Sequence, residues 1–201
     1  MFNSKLAFMS MALILAAEKG DANTILDLLE DGVAINEVDD RGRTAVMAAT
    51  HANQVEAVRI LIDAGADIHI QDNMKDNVFL YAGAEGLLEI LRLAIAAGAD
   101  YSLVNRYGGS ALIPACHHGH VDCVLELLEN SNVDIDHVNK LGWTALIEAV
   151  ILSDGGPTHQ KIVQLLVDHG ANQELADFEG VTPLQHAEKR GYIEMVAILK
   201  R

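Results

Sequence analysis

Asp39–Gln71, DDRGRTAVMAATHANQVEAVRILIDAGADIHIQ, is the stretch from which the fold can be read. It is written as turn, short helix, turn, longer helix, loop. Gly42 stands in a polar cluster, where a tight turn wants a residue that tolerates positive φ. Thr44 precedes an apolar run, so its hydroxyl is placed to accept an orphan backbone N–H and start a helix. Ala45–Thr50 is the first expected helix. Val55–Ala64 is the second, with Val58, Leu61 and Ile62 on one stripe and Gly65 as its stop. Neither helix is long enough to bury its stripe alone, so the unit needs neighbours of its own kind.

The glycines supply the period. Gly32, Gly65 and Gly98 are 33 residues apart, as are Gly86 and Gly119. Gly108 to Gly142 is 34 and Gly142 to Gly180 is 38, so one copy carries one extra residue and another carries five. The copies run 6–38, 39–71, 72–104, 105–138, 139–176 and 177–201, making one expected domain over 1–201.

GRTAVMAA with LIDAGADI in the second copy, GGSALIPA with HHGH in the fourth, GWTALIEA with LLVDHGAN in the fifth and GVTPLQHA in the sixth resemble the ankyrin repeat. The resemblance implies an all-α ankyrin-repeat solenoid of six helix-turn-helix units, with short β-hairpin-like fingers and capping end repeats. The copies depart from the family in two ways. Met47, Leu80, Ile113, Ile147 and Gln185 replace its histidine, and the third copy has Lys75 and Asn77 where glycine and threonine are usual.

The formal net charge of −15, from 29 acidic and 14 basic residues, repels phosphate backbones and anionic membranes. No nucleic acid or membrane partner is expected, and a basic protein segment would be steered in. Cys116 and Cys123 cannot make a disulfide framework and read as reduced interior residues, which suits the cytoplasm. Export is the alternative, if residues 1–22 form a signal peptide. Leu13–Asp21 is in register as the first helix and turn of copy one, which favours structure, with residues 1–12 as an apolar extension packing as a cap. The apolar run there is shorter than the roughly 20 residues of a membrane span.

Cys116, His117, His118, His120 and Cys123 form the densest set of potential ligands. The cysteines should face inward and His117 and His118 outward, so no metal is expected. Ser153–Gln160 is expected as an enlarged loop between helices, since Gly-Gly-Pro cannot continue one. Gly155-Gly156 lacks the strand and Gly-Lys of a phosphate cradle. No nucleophile–base pair, carboxylate dyad or cofactor motif is evident, so neither catalysis nor a cofactor is expected.

The family resemblance implies that partners are held by finger tips and the concave face of the first helices. Fifteen finger positions hold three of the nine aromatics, where about 0.7 would fall by chance. Aromatics and arginines are the residues that interfaces concentrate. The expected partner-binding set is Arg41, Arg43, Met74, Tyr81, Arg106, Tyr107, His117, His118, Leu141, Trp143, Glu148, Ile151 and Phe178, centred on Tyr107, Trp143 and Phe178. His51, Glu85, Leu152, Lys189 and Arg190 extend or border it. The runner-up is a small-ligand pocket around Tyr81, Tyr107, Trp143 and Glu148.

Overall fold

The computed structural model describes the backbone of residues 2–201 and the side chains of 8–201. Among the described residues there are twelve helices and no strand. The fingers are therefore tight turns, not the β-hairpin-like elements expected. Each is only five residues long, which leaves no room for paired strands.

One compact unit comprises residues 1–82 and 89–100. It contains α1 (Phe2–Lys19), α2 (Ala22–Glu30), α3 (Ala45–His51), α4 (Val55–Asp63) and most of α5 (Val78–Glu85) and α6 (Leu88–Ala96). α1 packs on α2 and α3, and α4 packs on α2 and α3. Leu13, Ile14, Ala17, Ile25, Val46, Met47, Val58 and Leu61 are buried there. α1 is one continuous helix, so the extension expected over residues 1–12 runs, from Phe2 on, unbroken into the first helix of copy one. The side chains of residues 1–7 lie outside the described residues. Phe8, Met11 and Leu15 of α1 are exposed.

The second unit comprises residues 83–88 and 101–201. It contains α7 (Leu112–His118), α8 (Val121–Asn130), α9 (Ala145–Ile151), α10 (Pro157–Asp168), α11 (Pro183–Arg190) and α12 (Ile193–Leu199). The first helices pack as α7 on α9 and α9 on α11, and the second helices as α8 on α10 and α10 on α12. Leu112, Cys116, Cys123, Val124, Leu127, Leu146, Ile162, Leu166 and Met195 fill the space between the layers. Both cysteines are free thiols. Met47, Leu80, Ile113 and Ile147, which hold the slot of the family histidine, are buried, so that slot is core in four copies, whereas Gln185 in the sixth is exposed.

The helix starts follow the sequence closely. Thr44, Thr144 and Thr182 each accept the N–H three residues on, and Thr182 completes a capping box with Gln185. Asn77 does the same work for α5, accepting from the Leu80 N–H at 2.9 Å, so the third copy keeps its cap without a threonine. α8 ends without the usual glycine. There the Ser131 hydroxyl donates to the Leu127 carbonyl at 2.6 Å, which accommodates the extra residue of that copy.

Lys75 adopts φ 65° at the turn position that is glycine in every other finger. An L-residue is strained there. Lys75→Gly is therefore expected to raise stability by about 0.5–1 kcal/mol, measured as a higher urea midpoint. An unchanged or lower midpoint would show that the turn carries no such strain.

The enlarged loop is shorter than expected, because α10 begins at Pro157 rather than Lys161. Proline suits the first helical position, where an N–H would have no helical partner. Gly156, extended at ψ 175°, stands before it as the N-cap. The remaining turn is tied down: Tyr192 lies against Gly155 and its hydroxyl donates to the Ser153 carbonyl at 2.8 Å.

Candidate functional site

The five fingers share one device. The first residue of each, Asp39, Asp72, Asn105, Asn139 or Asp177, accepts two backbone N–H groups through its Oδ1, from the residues two and four positions on. This closes the turn and holds its tip. The remaining side-chain atom is then free to bind a second group, which is the finger's own Arg43 in one case and a helix side chain in three. Asp39 Oδ2 accepts from Arg43. Asp72 Oδ2 lies 3.3 Å from His51 Nε2. Asn139 Nδ2 donates to Glu148 Oε1 at 2.9 Å, and Asp177 Oδ2 lies 2.7 Å from His186 Nε2.

Within the second unit, Leu141, Trp143, Ile151, Leu152 and Phe178 line a cavity of about 410 Å³, together with Asp177, Glu179, His186 and Arg190. Leu141 and Trp143 come from one finger, Asp177, Phe178 and Glu179 from the next, Ile151 and Leu152 from the end of α9, and His186 and Arg190 from α11. Phe178 is 78% exposed and Leu141 51%, whereas Trp143 is half-buried. Phe178 lies on Gly142: a Cβ there would stand 2.6 Å from the ring. The Phe178 ring, resting on Gly142, forms one wall of the cavity. Arg190 completes the wall, with Nη1 3.4 Å from His186 Nδ1 and Nη2 3.4 Å from the Ile151 carbonyl.

Three copies of the model for ankyrin repeats match residues 2–72, 79–177 and 142–201. The ankyrin repeat protein YahD of Escherichia coli strain K12 is 43% identical over 186 residues, 92% of each chain. The crystal structure of an ankyrin repeat domain from Acinetobacter baumannii AYE is 49% identical, with a TM-score of 0.91 over 94% of this chain and 95% of that one. The chain belongs to the ankyrin-repeat family. An L-asparaginase of Dirofilaria immitis is 30% identical over 97% of this chain, but that match covers only 32% of the enzyme. Ankyrin repeats generally mediate protein–protein interaction and the family is generally non-catalytic.

The ankyrin fingers and first helices place the expected site residues in different roles. Leu141, Trp143, Ile151 and Phe178 converge on the cavity. Tyr107 is 53% exposed, with the Arg106 guanidinium 4.7 Å over its ring, but it does not line that cavity. Arg41 and Met74 are exposed finger tips of the first unit. Arg43 is buried: its guanidinium spans Asp39 at 2.8 Å and Glu18 at 2.9 Å, so it anchors the finger to α1 instead of presenting a charge. Arg43, Arg41 and their hydrogen bonds overcome burial to hold the Asp39 carboxyl below its ordinary range.

Tyr81 stacks on His51 with ring centroids 4.0 Å apart. Burial holds the His51 imidazole below its usual pKa in spite of Asp72. His118 is exposed at the end of α7, with Nδ1 2.7 Å from the Ala84 carbonyl, and its ring meets those of His117 and His120. Among the described residues, no group of three or more His, Cys, Asp or Glu side chains is placed to hold a metal ion.

Glu148 departs most from its expected role. It is 6% exposed, in the middle of α9, so it cannot present a carboxylate to a partner. Burial pushes its carboxyl up to about 7, against the Asn139 hydrogen bond and the charge of His118. His117 Nδ1 is 3.9 Å from Oε2, beyond hydrogen-bond reach. The adjacent Cys116 thiol is pushed up by its own burial and then by Glu148.

The distribution of charge was not anticipated. Residues 119–138, α8 and its following loop, carry Asp122, Glu126, Glu129, Asp134 and Asp136 and no lysine or arginine. The fingers 105–109 and 139–143 carry Arg106 and Lys140 and no acid. The third finger of this unit, 177–181, carries Asp177 and Glu179 and no base, so the acid-free finger tips are those of copies four and five. The signal is present in the sequence, but the net charge of the whole chain averages over it.

Proposed function

We propose that the chain is a non-catalytic module that binds another protein through its finger tips and first-helix ends, with the Trp143–Phe178 cavity as the anchor site. One observation carries this reading: five large apolar side chains from two fingers and a helix end surround a single open cavity of about 410 Å³. Exposed aromatic and aliphatic groups gathered in this way mark interaction sites. The family supports the same reading. The cytoplasm suits two free buried thiols, and among the described residues no helix is long and apolar enough to cross a membrane.

Trp143→Ala should weaken partner binding by about 2 kcal/mol, roughly 30-fold in Kd, with the helical circular-dichroism signal kept. Quantitative pull-downs from the native cell, run beside an Asp122→Asn control on α8, would measure this. Identical partners and yields for wild type and Trp143→Ala would overturn the site. A basic segment, favoured by the whole-chain charge, fits the acidic face of α8 better than the cavity. The small-ligand reading has the same cavity in its favour, although of its four expected residues only Trp143 lines it and Tyr81, Tyr107 and Glu148 do not. A thermal shift caused by a metabolite, with no protein partner present, would favour it.

A further inference from the structure

We infer that the Trp143–Phe178–Arg190 recess receives an acidic peptide segment, in which a large apolar side chain fills the cavity and a neighbouring Asp or Glu side chain meets Arg190. This rests on the protein-binding reading above and adds the chemistry of the partner. The apolar half follows from the walls: Leu141, Trp143, Ile151, Leu152 and Phe178 offer dispersion contact and little to hydrogen-bond. The acidic half follows from Arg190. A guanidinium carries five N–H donors in a planar fork. Only two nitrogens of Arg190 have acceptors, His186 Nδ1 and the Ile151 carbonyl, each at the long distance of 3.4 Å. A carboxylate is the acceptor whose geometry matches that fork in two parallel bonds.

The recess does not already supply that carboxylate. Asp177 is occupied, with Oδ1 taking the Glu179 and Val181 N–H groups and Oδ2 bound to His186 Nε2 at 2.7 Å. His186 faces Arg190 with its other nitrogen, so the Asp177–His186–Arg190 chain aims the guanidinium without neutralising it. Glu179, on the finger tip, is the second carboxylate of the rim. It repels an acid at that end and so orients the peptide, with its carboxylate towards the end of α11 and its apolar side chain between the fingers. Lys189 stands in the same last turn of α11, and Lys140 and Arg106 stand on the two preceding fingers, outside the lining of the recess. The acids of α8 lie in the other helix layer, which keeps this complementarity intact.

Trp143 is the only tryptophan in the chain, so its fluorescence reports occupancy of the recess directly. The full-length chain would be titrated with end-blocked decapeptides containing Leu-Glu, Leu-Gln, Leu-Lys or Ala-Glu at the centre. The Leu-Glu peptide should shift Trp143 emission saturably. The Leu-Gln peptide should bind at least about 10-fold more weakly, and the Leu-Lys and Ala-Glu peptides more weakly still. Arg190→Met should remove the Glu-over-Gln preference while leaving the weaker apolar binding. Glu179→Gln should strengthen binding of the Leu-Glu peptide. Equal binding of Leu-Glu and Leu-Gln, an unchanged preference in Arg190→Met, preference for Leu-Lys, or no response to any peptide would each overturn the proposal. Loss of cellular partners in Trp143→Ala, with no Glu-over-Gln preference, would leave the protein-binding reading standing and remove this one.

Discussion

Glu148→Gln is expected to stabilise the protein at pH 8 by about 2 kcal/mol and to leave it almost unchanged at pH 4.5. The carboxyl is buried in α9 and its folded-state value is raised to about 7 from an ordinary 4.5. A raised group contributes most below its unfolded value, and that contribution is lost as pH rises through the folded value. The wild type should therefore lose stability between about pH 4.5 and pH 8 through this group. The full shift corresponds to an upper bound of about 3.4 kcal/mol, and relaxation and water entry around the ionised group reduce it.

Glutamine keeps the shape, and its carbonyl can still accept from Asn139 Nδ2, so the substitution removes mainly the charge. His51, His117 and His120 titrate in the opposite sense. Burial, the first cause at each, holds them below their ordinary value, so their contribution is present above about pH 6.5 and lost as pH falls. The difference between the variant and wild-type pH profiles isolates Glu148 from them. Urea denaturation at pH 4.5, 6, 7 and 8 makes the measurement. A difference that does not change with pH would show that Glu148 is not buried as a titrating group. The substitution also tests the finger, since Asn139 holds both Glu148 and the N–H groups of Leu141 and Trp143.

Gly142→Ala should destabilise the protein by about 2 kcal/mol or more, while Gly180→Ala should cost only about 1 kcal/mol. The two glycines have nearly the same backbone, φ 81° and 76°, so an added Cβ meets the same local strain. Their surroundings differ. At Gly142 the Cβ would stand 2.6 Å from Cγ of Phe178, whereas at Gly180 nothing lies within 4 Å. The excess at Gly142 therefore measures displacement of the Phe178 ring. The same displacement opens the cavity, so Gly142→Ala should also weaken the peptide response of Trp143, and Gly180→Ala should not. Equal losses of stability in the two variants would mean that Phe178 does not rest on Gly142.

Most of the helical plan was legible before any coordinates because it is local. A capping threonine, a three-to-four-residue apolar stripe and a glycine stop act over one or two turns. Copies repeated at 33 residues reinforce that reading. Asn77 shows the limit of matching letters: it departs from the family threonine yet makes the same hydrogen bond. Gly155-Gly156-Pro157 reads as one helix breaker in sequence, yet α10 starts at Pro157. Proline breaks a helix only where an N–H is needed, and the first position needs none.

The candidate surface was only partly legible. Leu141, Trp143, Ile151 and Phe178 were identifiable from their slots in the repeat, because register alone places those slots at finger tips and helix ends. The fates of Arg43 and Glu148 were not. Arg43 turns inward because Glu18, 25 residues earlier, lies across from it on α1. Glu148 is sealed in by the packing of α7 and α11 on α9. Arg190 meets the Ile151 carbonyl only because α11 packs on α9, whereas its contact with His186 is made within α11 itself.

By itself the sequence determined the period, the caps, the helix layers and the family, because short-range backbone chemistry and apolar spacing suffice for those. Tertiary structure decided which charges are spent and which remain available. A side chain's ionisation and exposure depend on groups 9 to 39 residues away in the chain, and only folding brings those groups within bonding distance.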